Sequence, residues 1–247
     1  VDDQSHRECA MTEQPSGSVS VTALRQVRIL SSLNDEQLAH LADQCTWSRC
    51  DGATEVLIQN TPCDQVYFVC NGRVSAKTFS SSGKEITFAE LTSGDVFGEL
   101  SALDGQPRSS FVVTVEESLL ASLSAQTFNA FLDKHPQMMR SLMIELALRL
   151  RQADEKVFEF STLSSGNRIH AELLRLARAH RDGDNTAQIM PAPTHADLAS
   201  RTNTTRESVT RTLNRLKKGG LIDTSRQCLT VYDINALAIL AQEAAED

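Results

Sequence analysis

Apolar and polar positions change their pattern along the 247-residue chain. Residues 21–44 space leucine and valine at helical intervals among polar residues, and Asn34 is a candidate N-cap within this segment. Residues 45–124 instead contain short β-rich runs separated by DG, NG, SSGK and SGD turns; the runs are EVLIQ, QVYFVC, RVSAKTF, EITFAEL, SFVVTV and LLASL. Short strands with such turns predict a β-barrel or sandwich, and a β-roll or jelly roll of this kind holds small ligands in its interior.

One long helix is predicted over residues 136–163, after Pro136. Its apolar positions follow in alternating steps of four and three, at Met139, Met143, Leu146, Leu150, Ala153, Val157 and Phe160. The other faces carry the charged residues Arg149, Arg151, Asp154, Glu155 and Lys156. So narrow a heptad seam predicts parallel pairing with the same helix of a second copy. A helix packed on its own domain is the alternative.

The C-terminal part alternates helical patterns with turns. SSGN at 164–167 breaks the long helix, and residues 168–181 form an amphipathic helix followed by an RDGDN loop. Two short helical pieces follow, THADLASRT and TTRESVTRTLNRLKKGG, then a β-pair in GLIDTSRQCLTVYD and a short helix in NALAILAQEAAED. Two helices joined by a tight link and followed by a hairpin predict a winged helix-turn-helix.

The second of these helices has one apolar and one polar face. Val209, Leu213 and Leu216 would be buried, and the opposite face carries Arg206, Glu207, Thr210 and Arg211 in the first turn and a half, where a recognition helix reaches base edges. Phosphate contacts are predicted for Thr204, Thr205, Lys217 and Lys218, and both threonines are also possible N-caps. Thr204 and Glu207 also fit a capping box, in which Glu207 would only cap its own helix.

Charge supports a localised DNA contact. The net charge is −8, yet residues 201–218 hold six basic residues against Glu207 alone. The chain has no apolar run of about 18 residues and its first 18 residues lack the apolar core of a signal peptide, so we expect a cytoplasmic protein without a membrane span. Residues 1–20 are predicted to be a disordered tail.

Cysteine and histidine positions limit other functions. The six cysteines form no C-x-x-C pair, which predicts scattered reduced thiols and argues against an iron–sulfur site. None of the six histidines lies within residues 46–124, which excludes a two-histidine, one-carboxylate centre in the β-region. The sequence therefore predicts a protein that is not an enzyme and has no metal or cofactor.

Two motifs give the chain a resemblance to a known family. GDVFGEL is followed by PRSS, with the arginine nine residues after the glutamate, and TRESVTR occurs in the predicted recognition helix. With the order of parts, over residues 22–235, the chain resembles the cAMP receptor protein/FNR family of bacterial transcription regulators. The resemblance implies an α+β protein with a double-stranded β-roll that binds a cyclic nucleotide (21–135), a dimerisation helix (136–164) and a winged helix-turn-helix (165–247).

The resemblance also implies roles for single residues. Gly98 would let backbone N–H groups close on a phosphate, Glu99 would accept from the ribose 2′-hydroxyl, and Arg108 would pair with the cyclic phosphate. Ser109 would add a hydroxyl donor, and Phe88 and Leu100 complete the implied ligand contacts. The alternative is a surface pair of Glu99 and Arg108. For DNA recognition, the resemblance implies that Arg206, Glu207 and Arg211 read a TGTGA-like half-site.

The base is less well specified. Where family members that bind cAMP carry Thr-Ser on the dimerisation helix, this chain has Ala153 and Asp154. A carboxylate only accepts hydrogen bonds, and guanine offers N1–H and N2–H together. We therefore hypothesise that cGMP binds as well as or better than cAMP; the alternative is a solvated Asp154 that pairs with Arg151 or Lys156.

The expected partners are a cyclic nucleotide, double-stranded DNA, a second copy of the chain and, for an activator, RNA polymerase. Two other readings stay open. One is a regulator of the same fold that senses haem or redox state, or that binds DNA without a ligand. The other is a cyclic-nucleotide subunit that acts on a protein partner, against which the basic recognition helix argues.

Overall fold

The computed structural model of the chain describes residues 10–11, 17–62, 65–225 and 227–242. They divide into two compact units; the first holds the described residues up to Phe79 together with Thr87–Leu150, and the second holds Ser80–Ile86 and the described residues from Arg151 onward. The division falls within the long helix. The sequence-based boundaries at 135/136 and 164/165 remain a prediction.

The first unit combines strands and helices. In chain order its elements are β1 (Ala10–Met11), α1 (Gly17–Arg25), a 3-10 turn (Arg28–Leu30), α2 (Asp35–Asp43), β2 (Thr46–Cys50), β3 (Glu55–Leu57), β4 (Gln65–Asn71), β5 (Arg73–Phe79), most of β6 (Glu85–Thr92), β7 (Val96–Phe97), α3 (Glu99–Asp104), β8 (Phe111–Thr114), β9 (Ser118–Ser124), α4 (Ala125–Lys134) and the part of α5 (Pro136–Thr162) up to Leu150. All six predicted strand runs form strands, and α5 has nearly the predicted bounds. Strands β2 and β7 and helices α3 and α4 were not predicted.

The strands form two sheets. The order in one is β1-β2-β9-β4-β7 and in the other β3-β8-β5-β6. Alternate residues of both sheets, such as Val69 and Leu120 from one and Val74 and Val112 from the other, share a core cluster. The opposite face of the five-stranded sheet packs on the helices through a second cluster that includes Trp47 and Phe68. This two-sheet arrangement is the predicted β-roll.

The N-terminal part is more ordered than we predicted. The disordered tail over residues 1–20 is wrong at Ala10–Met11, which pair antiparallel with β2, and from Gly17, where α1 begins. Backbone pairing at a sheet edge supplies the order that the polar composition of this segment does not. The rest of that prediction lies outside the described residues. Asn34 is the N-cap of α2 as predicted, in a capping box with Gln37.

The second unit has its own core. After the end of α5 it contains α6 (Ser165–Ala179), β10 (Ala187–Ile189), α7 (His195–Arg201), α8 (Arg206–Lys218), β11 (Ile222–Thr224), β12 (Leu229–Val231) and α9 (Ile234–Gln242). The strands pair in the order β10-β12-β11, next to the α7–α8 helix pair, so the predicted winged helix-turn-helix is confirmed. The sequence missed β10, a three-residue strand that pairs with β12.

The cysteines differ from expectation at one position. Cys45, Cys70 and Cys228 are free, as predicted, but Cys50 is disulfide-bonded, so the expectation of reduced thiols is wrong there. Burial raises the pKa of the Cys70 thiol to about 12, which keeps it protonated and unreactive. None of the helices in the described part of the chain is long and apolar enough to cross a membrane.

Candidate functional site

Gly98 forms the turn between β7 and α3 with a left-handed backbone, at a φ of +78°. A Cβ atom here would lie 2.7 Å from Nη1 of Arg108 and 3.1 Å from the carbonyl oxygen of Gln65. Glycine alone combines this backbone conformation with so close an approach. Gly98 is also the N-cap of α3 and provides no side-chain cap, so the first N–H groups of α3 lack a side-chain acceptor from the cap residue.

Arg108 is buried beside this turn. Its Nη1 donates to the carbonyl oxygen of Gly98 at 3.0 Å, and its Nη2 donates to the carbonyl oxygen of Gln65 at 2.6 Å. The residue is 3% exposed. A guanidinium that is buried and held in one orientation by backbone oxygens is a preorganised partner for an anion with several oxygens.

Glu99 is the first residue of α3 and is buried. Its Oε1 accepts a hydrogen bond from Nη1 of Arg149 on α5 at 2.9 Å, while Nη2 of Arg149 donates to the carbonyl oxygen of Val96 at 2.7 Å. Burial raises the pKa of the Glu99 carboxyl above its ordinary value, although Arg149 and the nearby Arg108 act to lower it. The structure thus brings Gly98, Glu99 and Arg108 together.

Arg149 is not among the predicted site residues, because in the sequence it is only one of several charged residues outside the apolar seam of the long helix. A signal was present: Arg149 precedes Ala153 by four residues, so both lie on one face of the helix. Glu145, four residues before Arg149, accepts from Nε of Arg149 at 3.4 Å and also pairs with Arg28. Ion pairs therefore extend from Glu99 through Arg149 and Glu145 to Arg28 in the 3-10 turn.

The structure does not bring every predicted ligand contact into this cluster. Ser109 is exposed, and its backbone oxygen accepts from Nε2 of Gln59 at 3.1 Å. Leu100 is 44% exposed, and Phe88 is 50% exposed on the face of β6 opposite the buried Thr87. The assignments of Phe88 and Leu100 therefore find no support in side-chain burial, because strand and helix periodicity turn both outward.

Asp154 is exposed in the second unit, near the end of α5. The base-selection hypothesis stays a prediction.

The seam of α5 is divided between two environments. Met139 and Leu146 pack against the core of the first unit, as do the neighbouring Met138 and Leu142. Three seam residues are exposed, Met143, Leu150 and Val157, and so are the apolar residues Ile144, Leu148 and Phe158 beside the seam. The first part of α5 therefore packs on its own domain, as the alternative expected, and pairing with a second copy stays a prediction for the exposed apolar residues.

Helix α8 has the two predicted faces. Val209, Leu213 and Leu216 are buried, whereas the side chains of Arg206, Glu207 and Arg211 are exposed. Thr210 is half-buried, and its hydroxyl donates to the carbonyl oxygen of Arg206 at 2.9 Å. The hydroxyl also forms a hydrogen bond of 2.8 Å with Nδ1 of His195, the first residue of α7. No sequence pattern points to His195, since the contact depends on how the two helices pack.

The start of α8 corrects the expectation for Thr204. The residue is buried, and its backbone N–H donates to the carbonyl oxygen of Ala199 in the tight turn, so its side chain is withdrawn from phosphate contact. Thr205 is the N-cap, and its hydroxyl accepts from the backbone N–H of Ser208 at 3.3 Å. Because Thr205 caps the helix, the predicted capping box of Thr204 with Glu207 is not the one formed, and the Glu207 side chain remains exposed.

The end of α8 carries the two lysines for which phosphate contacts are predicted. Lys217 and Lys218 are both exposed, in the last turn of the helix. Nζ of Lys217 pairs with Oδ1 of Asp223 on β11 at 2.6 Å. The hydrogen bond from Lys217 lowers the pKa of the Asp223 carboxyl, so Asp223 stays ionised and offsets part of the charge that the prediction assigned to DNA.

Comparisons with known proteins match both units. The family model "Cyclic nucleotide-binding domain" matches residues 52–135, and "Crp-like helix-turn-helix domain" matches residues 167–240. The first match contains Gly98, Glu99 and Arg108. The second contains the whole of α8.

Curated relatives are similar to the chain over much of its length. The chain is 34% identical over 157 residues to the Cyclic AMP receptor protein of Thermus thermophilus, covering 64% of this chain and 70% of that protein. It is 26% identical over 204 residues to the cAMP-activated global transcriptional regulator CRP of Escherichia coli, covering 80% of this chain and 95% of that protein.

Solved structures share the fold. The chain is similar to a CooA mutant from Carboxydothermus hydrogenoformans, with a TM-score of 0.74 at 17% identity over 96% of this chain and 99% of that one. FixK2 from Bradyrhizobium japonicum aligns with a TM-score of 0.69 at 21% identity, covering 81% of this chain and 99% of that one. At these identities the likeness concerns the architecture alone.

Proposed function

The chain belongs to the cAMP receptor protein/FNR family of DNA-binding transcription regulators, which are not enzymes, and we propose that it is a homodimer that binds a DNA palindrome when a cyclic nucleotide occupies the β-roll. The observation that carries the proposal is the buried cluster of Glu99 and Arg108 at the Gly98 turn. A solvated surface pair would leave both side chains exposed.

The cluster suits a ribose joined to a cyclic phosphate. The Arg108 guanidinium offers a planar set of donors to the phosphate oxygens, and the N–H groups that begin α3 add backbone donors at the same turn. The Glu99 carboxylate accepts from a ribose hydroxyl while Arg149 holds it in place. Arg149 therefore joins the proposed pocket as the residue that orients Glu99.

The proposed effector is cAMP or cGMP. The curated relatives named above are cyclic AMP proteins by name, but neither Ala153 nor Asp154 offers the hydroxyl groups that the resemblance expects at this place. We propose that Asp154 accepts from N1–H and N2–H of guanine and so moves the preference toward cGMP. Calorimetry with both nucleotides on the wild type and on Asp154→Ala tests this, since an unchanged preference contradicts the role of Asp154.

The proposed dimer forms along α5. Exposed apolar residues recur at heptad spacing at Met143, Leu150 and Val157. An apolar stripe of this spacing fits the equivalent stripe of a second parallel helix. Two α8 helices would then address half-sites about one DNA turn apart, through Arg206, Glu207 and Arg211. RNA polymerase is the further partner if the bound dimer activates transcription.

Nucleotide binding would act by shifting the population of DNA-competent dimers. A ligand that prefers this conformation raises DNA affinity, and DNA raises ligand affinity by the same factor. A second candidate is a regulator of the same fold that binds DNA without a nucleotide or responds to another effector. The observation that favours it is that Glu99 and Arg108 already have protein partners, which a ligand must share or replace.

A DNA-binding titration on a TGTGA palindrome separates the two candidates. It is done without nucleotide, with cAMP and with cGMP, on the wild type, on Arg108→Gln and on Arg140→Gln as an exposed-arginine control. The proposal expects one nucleotide to tighten binding by about tenfold or more, within the usual range of allosteric coupling. Arg108→Gln should lose this gain and Arg140→Gln should keep it. Equal affinity under all three conditions favours the second candidate.

A further inference from the structure

Arg168 joins the end of α5 to the turn between α7 and α8. It lies in the first turn of α6, and its Nη1 donates to the carbonyl oxygen of Leu163, just after α5, at 3.0 Å. Its Nε donates to the carbonyl oxygen of Thr202 at 2.9 Å and its Nη2 to that of Asn203 at 3.3 Å. One guanidinium thus holds backbone atoms of two segments that are far apart in sequence.

All three acceptors are backbone carbonyl oxygens, and two of them lie at the ends of helices. Leu163 follows the last residue of α5, and Thr202 is the C-cap of α7, so their carbonyl oxygens lie at the C-terminal ends of two helices. Such oxygens lack a partner within the helix and carry partial negative charge. Asn203 has a positive φ of 49°, which turns the chain sharply toward α8. A cation between two helix ends therefore stabilises both ends and the turn together.

The same guanidinium also contacts the side chain of Phe160. Cζ of Arg168 lies 5.8 Å from the centre of the Phe160 ring, in the last turn of α5. Arginine keeps its charge and has five N–H donors in a rigid plane. Lysine would keep the charge, but its single side-chain nitrogen cannot form three hydrogen bonds to these separate acceptors and also contact the Phe160 ring. The arrangement therefore requires the shape of arginine as well as its charge.

We infer that Arg168 is a positioning residue that makes the last turn of α5 and the α7–α8 turn move together, so that the end of α5 sets the orientation of recognition helix α8. As a step between nucleotide and DNA, this inference rests on the proposed function. The link within the second unit stands without it. A purely structural arginine would stabilise the unit but would leave the ratio of DNA affinities with and without nucleotide unchanged.

Four proteins test the inference: the full-length wild type, Arg168→Ala, Arg168→Lys, and Arg178→Ala as a control on an exposed arginine of the same helix. DNA affinity is measured with and without the nucleotide to which the wild type responds, and nucleotide affinity is measured without DNA. In both Arg168 variants the ratio of DNA affinities should fall by about fivefold or more, a typical allosteric coupling factor. Nucleotide affinity should change by less than threefold, and Arg178→Ala should resemble the wild type.

Hydrogen exchange of the nucleotide-free proteins gives an independent measurement. Amides in the last turn of α5 and in the 202–205 turn should both exchange faster in the Arg168 variants, with the β-roll unchanged. A folded Arg168→Lys that keeps the wild-type affinity ratio, or faster exchange in only one of the two segments, overturns the inference. If the wild type shows no nucleotide effect, the proposed function fails, and the exchange result alone decides whether Arg168 links the two segments. The lysine variant carries the test if the alanine variant does not fold.

Discussion

Nη1 of Arg149 lies 2.9 Å from Oε1 of Glu99, so a cation from the long helix reaches the carboxylate expected to bind a ribose hydroxyl. The carboxylate is buried and Arg149 is a quarter exposed. Arg149 also donates to the carbonyl oxygen of Val96 at the end of the neighbouring strand. Arg149 therefore hydrogen-bonds helix α5 to Glu99, the residue that the ligand is proposed to contact.

Replacing Arg149 with alanine should destabilise the protein. The change leaves the buried Glu99 carboxylate without its main cationic partner; an unsatisfied buried polar group costs about 1–3 kcal/mol, and a charged group costs more. Urea unfolding of the full chain measures the loss. In the double variant Glu99→Gln with Arg149→Ala, the buried charge is also removed, so the loss should be smaller than for Arg149→Ala alone. If the loss in the double variant equals the sum of the losses in Arg149→Ala and in Glu99→Gln alone, the two side chains do not interact directly.

Glu99 should make stability depend on pH. Because burial raises the pKa of its carboxyl in the folded protein, the native state keeps this proton to a higher pH than the unfolded chain does. The resulting stabilisation is fully present below about pH 4.3, the ordinary glutamate value, and is lost as the pH rises through the raised native pKa. The free energy of unfolding of the wild type relative to Glu99→Gln should thus decrease with pH in this window. Glu155→Gln, an exposed substitution, is the control; a flat difference for Glu99→Gln would reject the effect.

A comparison of two glycines with similar φ values separates the cost of backbone strain from the cost of a steric clash. Gly98 and Gly105 have φ values of +78° and +71°, but a Cβ at Gly105 would meet no atom within 4 Å. Alanine at either position should cost about 1–2 kcal/mol for the left-handed conformation. Gly98→Ala should cost more and should weaken nucleotide binding, since it displaces the Arg108 guanidinium. Denaturant unfolding and calorimetry of both variants measure the difference, and equal effects would mean that the contact with Arg108 is unimportant.

Much of the architecture follows from local sequence. The six predicted strand runs and α5 are set by hydrophobic period and turn residues, signals that lie within each segment. Strand β7 is only two residues long, and β10 is three, so neither shows a period. Their existence depends on pairing with distant strands.

The site divides in the same way. Gly98, Glu99 and Arg108 lie within one stretch of sequence, and a motif was enough to predict that they lie together. The partners of Glu99 and Thr210, namely Arg149 and His195, come from other helices, and only packing brings them close. Burial of Thr204 has the same origin, because the tight turn draws it inward. Sequence patterns predicted which residues carry the chemistry, whereas tertiary packing determines which of them are in contact.

The ion pair between Lys217 and Asp223 should limit DNA affinity. Asp223→Asn removes the partner charge, so Lys217 becomes fully available to a phosphate. The variant should bind DNA more tightly, and the plot of log affinity against log salt should steepen by about 0.9, the slope for one added phosphate contact. Adding Lys217→Ala to Asp223→Asn should cancel the gain. A gain that survives the second substitution would mean that Asp223 acts by general repulsion.

The exposed stripe of α5 should control assembly. Val157→Glu places a charge within the heptad seam, where pairing with a second helix would bury it, and burying an unpaired charge is strongly unfavourable. Gln152→Glu adds the same charge to an exposed position of the same helix outside the seam. Sedimentation at several concentrations should show a dimer for the wild type and Gln152→Glu, and a marked shift to monomer for Val157→Glu. Because a palindrome is read by two α8 helices, Val157→Glu should also lose most of its preference for the palindrome over a single half-site. If Val157→Glu stays dimeric, the two chains pair through another surface.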